Sequence, residues 1–112
     1  MKGLISMKNG IFFLLAVVSL VACNSGQAGQ APRAYVVEIK DMQFQPAILT
    51  LSKGDTVTWV NEDIVAHNVT QKDAAWASPT LPPEATWQKV INSSDPYYCS
   101  IHINMKGELV VK

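Results

Sequence analysis

The chain has 112 residues, 48% of them hydrophobic and 16% charged, with nine Lys+Arg balancing nine Asp+Glu. That length admits one small domain, and the apolar content is too high for a solvated disordered chain. Zero net charge without a Lys/Arg-rich run excludes the electrostatic footprint of a nucleic-acid binder, and two cysteines cannot support a disulfide framework.

Lys2 and Lys8 precede an apolar run, Ile11–Val21, that ends at Leu20-Val21-Ala22-Cys23. A positive end followed by a short apolar core is the layout of a secretory signal peptide, and the run falls short of the roughly 20 residues that span a bilayer. Met1 and Met7 serve equally as starts, because a chain from Met7 keeps Lys8 and the whole apolar core. Leu20-Val21-Ala22-Cys23 resembles the lipobox of bacterial lipoproteins, which predicts a signal peptide over residues 1–22 and lipidation of Cys23. Acyl chains would hold an otherwise soluble domain at a membrane, each buried CH₂ contributing about 0.8 kcal/mol. The bland alternative is a cut near Ala22 that leaves Cys23 a chance thiol.

Residues 23–34 are small and polar without apolar period and read as a flexible tether. Its end-to-end distance is about 18 Å, enough to hold a domain just off a surface. If Cys23 carries lipid, Cys99 is left as a lone thiol that needs another explanation.

From Tyr35 the apolar residues have period two, with Tyr35, Val37 and Ile39 against Glu38 and Lys40, the mark of a half-buried strand. Further β-rich runs lie at 49–51, 56–60, 67–70, 86–91, 97–99 and 108–111, separated by turn residues such as Lys53-Gly54-Asp55, Pro82-Pro83 and Ser93-Ser94-Asp95-Pro96. About seven short strands over residues 35–112 predict one all-β domain, an antiparallel Greek-key sandwich.

The chemistry concentrates in Cys99-Ser100-Ile101-His102-Ile103-Asn104-Met105, a C-x2-H-x2-M pattern that holds one of the two histidines. Thiolate, imidazole and thioether are soft and borderline donors, which suit copper rather than Mg or Ca. The second imidazole, His67, opens another predicted strand, and a sandwich can bring it to the same end. Two His, one Cys and a weak axial Met make up the blue-copper donor set. Structural zinc would want four closed N/S ligands of the Cys/His kind, and three are free here. A hydrolase would need a nucleophile, a base and a third group that orients the base. Met42, Phe44, Trp59, Trp87 and Tyr97 read as packing residues rather than ligands or relays.

These motifs, with Met42-Gln43-Phe44-Gln45-Pro46, Gly54–Asn61, Ala66-His67-Asn68-Val69 and Met105-Lys106-Gly107, resemble the small cupredoxins of the plastocyanin and amicyanin group over most of 36–112. Two residues between the second His and the Met is the short spacing of amicyanins. The resemblance implies His67, Cys99, His102 and Met105 as ligands to one copper ion per chain, Cys99 as the covalent thiolate and Met105 as the long axial donor. It implies an Asn68–Ser100 bridge as support for those ligands, and an apolar docking surface at Val65, Ile101 and Ile103, with Ile64 a weaker member. The implied function is single-electron transfer, without catalysis, between extracytoplasmic redox proteins such as a dehydrogenase, a cytochrome or an oxidase. The expected protein is a lipid-anchored monomer on the periplasmic or cell-surface side of a bacterial membrane. Copper delivery is the alternative use of the same ligands.

The chain departs from the family pattern at four places. Ile101 and Ile103 replace prolines that stiffen the ligand loop, Glu84 stands where a turn Gly is common, and Asp95 where a Tyr often precedes the Cys strand.

Overall fold

The structure, a computed structural model, describes residues 30–112. The expected signal peptide and Cys23 lie outside the described residues. Within them, no helix is long and apolar enough to cross a membrane.

Eight strands run in chain order: β1 (Ala34–Lys40), β2 (Gln43–Gln45), β3 (Ile48–Leu51), β4 (Thr56–Asn61), β5 (Thr70–Gln71), β6 (Thr86–Val90), β7 (Asp95–Tyr98) and β8 (Lys106–Val111). They form two four-stranded sheets, β2-β1-β4-β6 and β3-β8-β7-β5. The all-β sandwich is as expected from the sequence. The pairing is mixed rather than antiparallel throughout, because β1 lies parallel to β4 and β3 parallel to β8. A crossing chain must bring each of those pairs together, so strands far apart in sequence lie side by side.

Period two decides which side chains meet between the sheets. Val37 and Ile39 of β1 and Val57 and Trp59 of β4 are buried, and they share the core with Leu51, Tyr97 and Leu109 of the other sheet. The Trp59 ring lies 5.5 Å from both Trp87 and Tyr97, and Tyr97 meets Phe44 edge-on at 4.8 Å. Cutting a side chain like Trp59 back to Ala costs about 3–5 kcal/mol. Burial pushes the Tyr97 phenol up to about 12. Gly107 makes room for that ring, since a Cβ there would sit 2.5 Å from the Tyr97 hydroxyl and closer still to Cζ.

A turn holds each end of β1. Asp41 and Met42 join β1 to β2 with φ of 56° and 58°, a primed turn made without glycine. Met42 is 44% exposed, which corrects its reading as a packing residue. Asp55 ties the start of β1 to the turn before β4 by accepting from Arg33 N and Ser52 N, each at 2.8 Å. Those two backbone bonds hold its carboxyl below the ordinary carboxylate range.

Candidate metal centre

Cys99 directly follows β7, and Met105 directly precedes β8. The loop between them is pinned by Cys99 N donating to Met105 O at 3.1 Å and Met105 N donating to His102 O at 2.9 Å. Tyr98 pairs with Lys106 at its base. The chain thus folds a tight hairpin loop that carries Cys99, His102 and Met105 at one end of the sandwich. Cys99 and Met105 are buried, and His102 is half-buried.

His67 reaches the same end from the other side. Sequence patterning predicts a strand over 67–70, yet β5 is only Thr70–Gln71, and His67 instead bridges Leu81. Asn68 faces the Cys99 loop rather than a neighbouring strand, which is why the ladder stops short. His67 Nδ1 lies 3.8 Å from Cys99 Sγ, and both residues are 0% exposed. The His67 and His102 rings stack edge to face with centroids 5.0 Å apart.

Asn68 joins the two segments three ways. Its backbone N–H donates to Cys99 Sγ at 3.4 Å, its Nδ2 to Ser100 Oγ at 2.7 Å, and its Oδ1 accepts Ser100 N–H at 2.8 Å. Thr70 Oγ1 donates to that same Oδ1 at 3.1 Å. Around the loop, Val65, Ile101 and Ile103 are exposed, as is Ile64.

Asp63 and Asn61 are the residues that sequence reading missed. Asn61, buried at the end of β4, donates to Val65 O and Leu81 O and accepts from Asp63 N. It thereby shapes the 62–66 loop that leads into His67. Asp63 Oδ2 lies 2.8 Å from His67 Nε2. Desolvation opposes ionisation of Asp63, but hydrogen bonds from Met42 N, His67 and Asp41 N together outweigh it and hold the carboxyl below its ordinary range. A carboxylate four residues before a His is the only mark this contact leaves in the sequence, and in a loop that spacing has no fixed geometry.

Cys99, His67 and Asp63 line up as a nucleophile, a base and an orienting carboxylate would. The burial of Cys99 and His67 denies a substrate any approach to Sγ. Among the described residues no group of three His, Cys, Asp or Glu side chains is by itself arranged to hold a metal ion, so a site here draws on the Met105 thioether as well. What converges is a buried thiol and imidazole, a second imidazole stacked on the first, and a buried thioether closing the loop. One thiol, two imidazoles and a thioether fit copper by softness and by type.

A family model described as a cupredoxin-like domain matches residues 12–111. The chain belongs to the cupredoxin family. This cupredoxin is 32% identical over 89 residues to amicyanin from Paracoccus denitrificans, a match covering 73% of this chain and 68% of the relative. It is 29% identical over 102 residues to a plastocyanin from Synechococcus sp., covering 72% of this chain and 75% of the relative. A solved variant of amicyanin in its Cu(I) form superposes with a TM-score of 0.66 at 30% identity, covering 70% of this cupredoxin and 82% of that chain.

Proposed function

We propose that this cupredoxin carries single electrons through one copper ion held by His67, Cys99, His102 and Met105. The observation that carries this reading is the buried approach of His67 Nδ1 to Cys99 Sγ at 3.8 Å, on a loop closed by Met105. Copper is the cofactor, and when bound it supplies a one-electron Cu(II)/Cu(I) couple.

The chain's own residues make that couple usable. Asn68 ties Ser100 to the His67 segment, so the thiol and the imidazole keep their spacing when charge changes. Burial of His67 and Cys99 excludes water from one side, while the half-buried His102 is the donor nearest to solvent. Ile101 and Ile103 flank His102 in the chain and, with Val65, form an apolar landing area suited to brief encounters that bury little surface. The partners are redox proteins such as a dehydrogenase, a cytochrome or an oxidase. Cys23, lipidated after removal of residues 1–22, anchors a monomeric domain outside the cytoplasm. Catalysis has no part in this reading.

Adding Cu(II) to the purified domain tests it: an intense thiolate-to-copper absorption is expected, and Cys99→Ala abolishes it. The copper is expected to stay bound against Cu(I) chelators while electrons exchange rapidly; prompt loss to the chelator points to copper delivery instead. Cys23→Ser is expected to release the domain from the detergent phase or block processing, and identical partitioning with no acyl mass would rule the anchor out.

A further inference from the structure

Asp63 gathers three donors on one carboxylate. Asp41 N donates to Oδ1 at 2.7 Å, Met42 N to Oδ2 at 3.0 Å, and Oδ2 also lies 2.8 Å from His67 Nε2. The first two belong to the β1–β2 turn, whose two non-glycine residues both sit in the left-handed region. That conformation is strained for residues that carry a Cβ, and bonds from both turn amides to one charged acceptor offset it. Asn61 Oδ1 accepts Asp63 N–H at 2.9 Å and fixes the backbone from which the carboxylate reaches both. Among the described residues no Lys or Arg lies within ion-pair distance of Asp63, whose side chain is 13% exposed. Its charge is answered by N–H groups alone.

The consequence falls on His67. An imidazole that gives its Nε2–H to a carboxylate keeps a lone pair on Nδ1, and Nδ1 is the nitrogen that faces Cys99 Sγ. We propose that Asp63 is the positioning residue of the centre, coupling the Asp41–Met42 turn to the orientation, tautomer and basicity of His67. This rests on the reading of His67 as a ligand. A negative charge behind the imidazole favours the more highly charged, oxidised state of the centre over the reduced one.

The test compares the copper-loaded wild type with Asp63→Asn, which removes the charge in nearly the same shape, and Asp63→Glu, which keeps it. Asp63→Asn should favour the reduced state at least tenfold, a rise of about 59 mV for one electron, with the thiolate absorption retained. Asp63→Glu should stay closer to wild type. Equal shifts in both variants, or an unmoved potential in Asp63→Asn, would overturn the inference. Absence of the thiolate band in the wild type would instead overturn the ligand reading, and this inference with it. Should Asp63→Asn fail to fold, nitrogen NMR of the wild-type Cu(I) protein decides. A slowly exchanging His67 Nε2–H beside protected Asp41 and Met42 amides supports the coupling; a proton on Nδ1, or an Nε2–H that exchanges freely, refutes it.

Discussion

Asn68 and Ser100 are joined in both directions, the Asn68 amide donating to Ser100 Oγ and accepting Ser100 N–H. The pair spans the two segments that supply His67 and Cys99, so it works as a clasp across the open end of the sandwich. Asn68→Ala removes both bonds and the acceptor of Thr70 Oγ1, and should cost about 1–3 kcal/mol. A lowered urea midpoint at unchanged slope in the apo-protein is the expected reading, together with a copper spectrum altered by a looser Cys99 loop.

Glu84 occupies the third position of a turn in which Ala85 N donates to Pro82 O at 3.0 Å, and its φ is 72°. With Pro83 before it, this is the geometry in which glycine is preferred. Glu84→Gly should stabilise the domain by about 0.5–1 kcal/mol, the relieved left-handed strain exceeding the extra freedom of the unfolded chain. A thermal melt a few degrees higher checks it.

Acid should loosen the start of β1. Because the Asp55 carboxyl titrates below its ordinary value of 3.8 when folded, the unfolded chain binds more protons as pH falls. Its contribution is complete above about pH 4 and is lost as pH drops through the folded value. Glu62, raised by its hydrogen bond with Glu38, works in the opposite sense. Urea midpoints of wild type and Asp55→Asn, measured from pH 6 down to 3, should therefore converge.

Ile103 is 66% exposed beside His102 in the ligand loop, so a charge there meets solvent rather than core. Ile103→Lys should leave the copper absorption nearly unchanged and slow electron exchange with the physiological partner. Stopped-flow mixing measures this, and unaltered kinetics would move the docking surface elsewhere.

The parts of the fold legible in the sequence are those that local alternation dictates. Val37 and Ile39 announce β1 because each faces the core across a polar neighbour. β2 escapes such reading, since three residues with Phe44 as the only apolar member carry no period. Parallel and antiparallel ladders share the same alternation, so the β1–β4 and β3–β8 pairings leave no local trace. The donors cluster legibly because Cys99, His102 and Met105 share one short loop. Asp63 and Asn61 do not, because their work depends on where the 62–66 loop turns, and the Asp41–Met42 turn that meets Asp63 is remote in sequence.

The position of β8 between β3 and β7 makes the last strand of the chain the one that completes the second sheet. A nascent chain that still lacks Lys106–Val111 has no strand to join β3 to β7 and no Lys106 to pair with Tyr98 at the base of the Cys99 loop. The loop that carries Cys99, His102 and Met105 has its base in the Tyr98–Lys106 pair, so the donor set comes together only once the last strand is in place, and ion acquisition belongs to the finished chain.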